Sequence, residues 1–157
     1  MIYEGTDLKW IIPYVYLTSD SGSFVYVISP WIDIDVALTI TWVQNSATLS
    51  FSELIKSFSE KKVGTVFFLS ETEKHNSLNV KSLRLIEHYG WECHFIKNLH
   101  SKAVVGLRLM YIGSANLTYS GLNKNQEAVT IERVYDQKEN LKQLLGGVQA
   151  WQNQRVK

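Results

Sequence analysis

Cysteine, proline and net charge are scarce in this chain. Its 157 residues include one cysteine, Cys93, and two prolines, Pro13 and Pro30. One thiol cannot form an intramolecular disulfide, so packing has to hold the fold, and a reducing cytoplasm suits it. Lys and Arg number 16 against 15 Asp and Glu, a net charge of +1. Bulk charge therefore announces no polyanionic partner, and any such contact must come from a local patch. No apolar run approaches the roughly 18 residues that a spanning helix needs, and no basic, apolar, small-residue leader opens the sequence. The expectation is a cytoplasmic protein with no membrane span. A single domain over 1–157 is the simplest organisation at this length, and 45% hydrophobic residues can furnish its core.

What is present is a succession of strand and helix signals. In residues 1–20, Leu8, Trp10, Ile11, Ile12, Val15, Tyr16 and Leu17 suggest a short helix against a sheet, with Pro13 as an interruption. Ser23–Ser29, SFVYVIS, is rich in β-branched and aromatic residues and predicts a buried strand. Residues 36–43 fit a strand or the start of a helix. Ser50 or Ser52 can cap a helix through Glu60, with Gly64 beyond its end. Thr65–Ser70 predicts a second buried strand and Glu71–Ser77 a polar connection. Val80, Leu83, Leu85 and Ile86 predict a helix ending at Gly90, and Trp91–Lys97 a further strand. Ala128–Val134 predicts another strand. Asp136–Gln152 predicts a last helix, with Leu141, Leu144, Leu145, Val148 and Trp151 on one side and Gly146-Gly147 as its weak point. This alternation predicts the α/β class, a mixed, mostly parallel sheet flanked by helices.

One stretch organises the rest: His100 to Glu127, HSKAVVGLRLMYIGSANLTYSGLNKNQE. Its apolar runs, Ala103–Val105 and Leu109–Ile112, flank Gly106 and predict a hairpin. Side chains two apart on a strand share a face. His100 and Lys102 would share one face, and Ser114 and Asn116 could share a face of the next strand. The hairpin would then gather an imidazole, an ammonium, an amide and the Glu127 carboxylate at one end. Such a set suits attack on a phosphodiester.

These residues resemble the signature of the phospholipase D superfamily: H-x-K at His100–Lys102, G-S-x-N at Gly113–Asn116, then Glu127. The run through Leu117-Thr118 and Asn125-Gln126 is similar to the nuclease-type branch. The stretch departs from the signature at Leu107, where an Asp is usual, and the interval to Gly113 is one residue shorter. Both changes fall in the expected turn, away from the chemical groups. The resemblance implies a phospholipase D-like fold and a metal-independent phosphodiesterase with no cofactor.

The chemistry of the residues supports roles for each. Lys102 supplies charge and hydrogen bonds to phosphate, Asn116 an amide donor, and Ser114, with Gly113, supports the phosphate site or the turn. His100 can attack phosphorus when neutral or protonate a leaving oxygen when charged, and one imidazole does not comfortably do both. The family pattern supplies two histidines through two copies of the signature. This chain has one copy, so the resemblance implies a homodimer with two facing His100 residues and a phosphohistidine intermediate. It also implies that Glu127 accepts a hydrogen bond from His100 and fixes its tautomer.

Other residues read more plainly. Lys97 and Arg108 lie near the motif in sequence and are candidates for backbone phosphate contacts. Lys61-Lys62 reads as a solvated face. Trp31, in Ser29-Pro30-Trp31-Ile32, reads first as core packing and second as a wall of a substrate groove. His75, His88 and His94 read as structural or solvated, and Cys93 as an apolar filler with no zinc set around it. Three functions compete: a nuclease, with DNA the first substrate; a phospholipid phosphodiesterase or phosphatidyltransferase; and a catalytically weak nucleic-acid-binding, dimerising module.

Overall fold

The computed structural model of the chain describes residues 2–42 and 45–146. Val43, Gly147, Val148, Trp151 and Gln152, assigned above to a strand and a helix, lie outside the described residues. The elements are β1 (Ile2–Glu4), α1 (Leu8–Leu17), β2 (Phe24–Ile28), β3 (Ala37–Trp42), β4 (Asn45–Ser50), α2 (Phe51–Glu60), β5 (Gly64–Ser70), α3 (Ser77–Tyr89), β6 (Glu92–Ile96), β7 (Ala103–Val105), β8 (Leu109–Gly113), α4 (Tyr119–Asn123), β9 (Ala128–Arg133) and α5 (Gln137–Leu144).

A seven-stranded mixed sheet runs in the order β1-β9-β8-β7-β2-β5-β6, and β3 and β4 form a separate antiparallel pair. Only the β2–β5 and β5–β6 pairings are parallel. The other four pairings in the large sheet are antiparallel. The expectation of a mostly parallel sheet is therefore corrected. Helical crossovers join β2 to β5 and β5 to β6, and these impose parallel pairing. After β6 the chain turns back into β7 without a helical crossover and folds on through the tight β7–β8 turn, which gives antiparallel pairing.

The central strands β5 and β7 bury both faces, which is why they read as unbroken apolar runs. On β5, Phe67 and Leu69 join one core with Leu8, Ile12 and Tyr16 of α1 and Leu54 and Ile55 of α2. Val66 and Phe68 join the opposite core with Leu141 and Leu145 at α5. On β7 the alternation continues, Val104 to the first core and Ala103 and Val105 to the second.

Several helix ends follow the sequence. Ser50 caps α2, its hydroxyl accepting from the Glu53 N–H at 3.2 Å. Gly90, at φ +71, closes α3. Asp136 caps α5, accepting from the Glu139 N–H at 3.1 Å. Two expectations fail for physical reasons. Pro13 sits buried inside α1 instead of interrupting it. An interior proline costs about 3 kcal/mol, but Leu8, Ile11, Ile12, Val15 and Tyr16 on the same helix are all buried. Gly64 does not close α2; Lys62 takes the left-handed conformation at φ +66, and Gly64 opens β5. The last helix closes at Leu144, with Gly146 at φ +81 just beyond it, and the expected span from 147 on lies outside the described residues. No helix among the described residues is long and apolar enough to cross a membrane.

Candidate active site

The site residues lie at the open end of the β7–β8 hairpin, beside the carboxyl ends of β2 and β5. β7 begins at Ala103, so His100 and Lys102 are on its extended lead-in, not inside a strand. The ladder reaches Lys102, whose carbonyl accepts from the Gly113 N–H at 3.1 Å. Asn98, in the left-handed conformation at φ +55, turns the chain from β6 toward His100. His100 is exposed and Lys102 half-buried. Lys102 Nζ donates to the His100 carbonyl at 3.1 Å. Among the described residues neither His100 nor Lys102 forms an ion pair.

His100, Lys102 and Asn116 line one open cavity of about 230 Å³, with Trp31, Thr72 and Glu73 among its other walls. Ser114 and Asn116 do not share a strand face, because β8 ends at Gly113 and the chain bends there. A side chain at Gly113 would meet the Ala128 carbonyl at 2.5 Å, so this position of the signature has to be glycine. Asn116 is half-buried, and its Oδ1 is buried with no hydrogen-bond partner.

Glu127 is not in that cavity. It lines another, of about 580 Å³, with Gly5 and Asn125. Its carboxylate accepts a short hydrogen bond from the Ser114 hydroxyl, which itself accepts from the Ala128 N–H at 3.1 Å. No hydrogen bond joins Glu127 to His100 among the described residues. Three of the four groups expected together thus share one cavity. The fourth is linked to the same bend through Ser114.

Two further placements correct the sequence reading. Trp31 is not core; it is 41% exposed and walls the His100 cavity. Its loop is held from beneath. Buried Ser29 donates its hydroxyl to the Trp31 carbonyl and accepts from the Leu117 N–H at 3.2 Å. Buried Asn79 donates to the Pro30 carbonyl at 2.9 Å and accepts from the Ile32 N–H at 2.8 Å. Arg108 is not beside the motif in space. It sits in the β7–β8 turn, at the other end of the hairpin, paired with Asp20. Leu107, at the signature's Asp position, donates its N–H to Ser19 Oγ at 3.2 Å. Lys97 is exposed in the turn leading from β6 to His100.

Residues that sequence reasoning passed over position the site. A side chain at Gly121, in α4, would come within 2.1 Å of the Asn116 carbonyl oxygen. A side chain at Gly5 would come within 2.3 Å of the Gly121 carbonyl and 3.2 Å of Glu127 Cβ. The first residues of the chain, α4 and the Asn116 bend are therefore packed backbone to backbone. The Thr118 cap of α4 (Oγ1 accepting from the Gly121 N–H at 3.1 Å) was a readable signal for Gly121. Nothing local marked Gly5.

The remaining candidates stay apart. His75 and His88 are exposed. His94 hydrogen-bonds Glu92 at 3.0 Å and stacks on Phe68. Burial pushes the Cys93 thiol up to about 12, with Glu87 adding to the effect, so it is not a thiolate nucleophile. Among the described residues no three His, Cys, Asp or Glu side chains gather as a metal site.

No protein-family profile and no curated protein matches the sequence. Solved structures match along almost the whole chain. A phospholipase D family member, Nuc from Salmonella typhimurium, superposes with a TM-score of 0.64 at 15% identity, over 98% of this chain and 95% of that one. NucT from Helicobacter pylori does so with a TM-score of 0.67 at 12% identity, over 99% and 94%. TrmBL2, an archaeal chromatin protein described as showing a novel mode of DNA binding, gives 0.55 at 9% identity, over 98% of this chain and 52% of that one. At these identities the likeness is one of fold.

Proposed function

We propose that residues 1–157, a single domain with the phospholipase D-like fold, hydrolyse nucleic-acid phosphodiester bonds without metal, at a site completed in a homodimer. The observation that supports this best is the convergence of His100, Lys102 and Asn116 on one open cavity. Their order along the chain is that of the family signature.

Lys102 and Asn116 hold the non-bridging oxygens and offset the charge that grows on them. A neutral ring nitrogen of His100 attacks phosphorus; an N–P bond forms and the P–O bond to the leaving alcohol breaks. The second copy's His100, charged, gives that oxygen a proton. Water then attacks phosphorus and passes a proton to the second imidazole, now neutral, as the N–P bond breaks. One water is consumed and both imidazoles return to their starting states. Two histidines in opposite protonation states are required, and a two-fold axis beside His100 would supply them. Lys97 stands close enough in the chain to meet a flanking phosphate.

A second reading is favoured by one contact. Glu127 is engaged by Ser114 and makes no hydrogen bond to His100. In that reading the chain binds nucleic acid and dimerises without turnover.

The test offers DNA, RNA and phospholipid vesicles to the protein in excess chelator, with His100→Ala subunits mixed in under exchange. The expected result is nucleic-acid cleavage that falls as the square of the wild-type fraction. A linear fall would show that each chain carries a complete site. Activity that required added Mg²⁺ would sink the mechanism. Binding without turnover would establish the second reading, and lipid cleavage alone would make the protein a phospholipid phosphodiesterase.

A further inference from the structure

The His100 cavity adjoins a second one. Trp31 and Asn116 line both it and a neighbour of about 340 Å³, which Thr118, Tyr119 and Asn125 also line. Asn125 in turn lines the cavity at Glu127. The three make a groove running from Lys102 past Asn116 to α4.

Its chemistry is unusual for a surface that meets a polyanion. Two large aromatic side chains stand exposed on it, Trp31 at 41% and Tyr119 at 58%. Its polar lining is mainly amide and hydroxyl: Asn116, Asn125, Thr118 and Ser120. Among the described residues the cations at hand are Lys102, in the lining, Lys124, whose Nζ lies 5.5 Å from the Tyr119 ring centroid, and Lys81, engaged with Asp33. Glu73, Asp33, Glu4 and Glu127 are acidic members of the lining; Asp33 is paired with Lys81, and Glu127 is engaged by Ser114.

A duplex presents about one charge per 1.7 Å of axis and hides its base faces in the stack. Proteins that hold it neutralise many phosphates at once, and this groove has too few cations for that. An unpaired strand exposes the flat faces of its bases, and exposed aromatics are what such faces bind. The Trp31 loop is rigid: its backbone is fixed by buried Ser29 and Asn79, yet its indole is left outside the core. A side chain held this way without being buried is placed for a ligand.

We propose that Trp31 and Tyr119 are base-stacking platforms and that the substrate is single-stranded nucleic acid, laid along the groove with one phosphate at His100. The proposal rests on the reading of the His100 cavity as a phosphodiester site. Specificity for sequence would be low, because every base has a π-face.

The test measures binding of a labelled 12-nucleotide single strand, the same strand without bases, and the matched duplex. It is done in the His100→Ala background, so that nothing is cleaved. The single strand should bind at least tenfold more tightly than the duplex. Trp31→Ala and Tyr119→Ala should each weaken it by roughly five- to hundred-fold. Trp31→Phe and Tyr119→Phe should restore most of that affinity. None of the four should move binding of the baseless strand. Duplex binding as tight as single-strand binding, or equal losses on the baseless strand, would overturn the proposal. Cleavage by the wild type against His100→Ala is scored separately. Stacking-dependent binding without cleavage would leave this inference standing and defeat the hydrolytic reading. Cleavage with unchanged binding in Trp31→Ala and Tyr119→Ala would do the reverse.

Discussion

The two ends of the β7–β8 hairpin treat their polar groups in opposite ways. At the turn end they satisfy one another. Arg108 pairs with Asp20, the Leu107 N–H donates to Ser19 Oγ, and Ser19 Oγ donates to the Val15 carbonyl. A side chain at Gly106 would meet Val15 Cγ1 at 2.7 Å, so the turn is packed tight against α1. At the open end polar groups are left over. The ring of His100 makes no hydrogen bond among the described residues, Lys102 reaches only a carbonyl, and the Asn116 Oδ1 is buried and unpaired. A buried unpaired acceptor costs about 1–3 kcal/mol. One hairpin thus closes its chemistry where it supports the fold and leaves it open where a ligand would enter.

The strongest way to break this contrast is Gly121→Ala. The new methyl would fall 2.1 Å from the Asn116 carbonyl oxygen, a backbone atom that cannot swing aside. Overpacking of this kind costs about 1–3 kcal/mol of stability, set against a gain of up to about 1 kcal/mol from helix propensity. Asn116 must shift, and a misplacement near 1 Å costs about 100-fold in rate. Thermal melts and single-turnover cleavage measure the two effects. Wild-type turnover would show that Asn116 need not be held where it lies.

The middle effect is Glu127→Gln. The amide keeps an acceptor for Ser114 but loses the charge. A hydrogen bond to a charged group contributes about 1 kcal/mol more than a neutral one, so stability should fall by about that amount. Turnover should fall about tenfold, with phosphate binding largely kept. A double-mutant cycle with Ser114→Ala checks the route: coupling near 1 kcal/mol is expected if Glu127 acts through Ser114. Additive losses would mean that it acts elsewhere, directly on His100 for instance.

The sequence disclosed these parts unevenly. His100, Lys102 and Asn116 were legible because their types and order carry chemistry before any fold is known. The strand cores were legible because Val25 and Val27 or Phe67 and Phe68 are apolar enough to be buried from either side. What stayed hidden depends on contacts distant in sequence. Gly5 touches Gly121 and Glu127 across more than a hundred positions. Trp31 stands exposed on a loop that Ser29 and, from α3, Asn79 hold by the backbone. A buried asparagine on a helix face is a trace of such a clamp, though not of what it holds. The sense of the sheet was misjudged for a similar reason. Alternating helices and strands govern the β2–β5 and β5–β6 pairings, but the four antiparallel pairings outnumber these two.

The smallest effect belongs to Arg108, and it sharpens the comparison by its size. Arg108 and Asp20 are both largely exposed, with side chains 59% and 61% accessible. Exposed ion pairs contribute about 0–1 kcal/mol and weaken as salt screens them. Arg108→Ala should therefore lower the unfolding free energy by less than about 1 kcal/mol at low salt, and by less again at high salt. Single-strand affinity and turnover should not change, because the turn is at the far end of the hairpin from His100. The salt slope of binding gives the finer check. A phosphate contact removed from the interface lowers that slope by about one, so an unchanged slope places Arg108 outside it. A flatter slope with weaker binding would show that the strand extends to the turn end, and the division between the two ends would then be wrong.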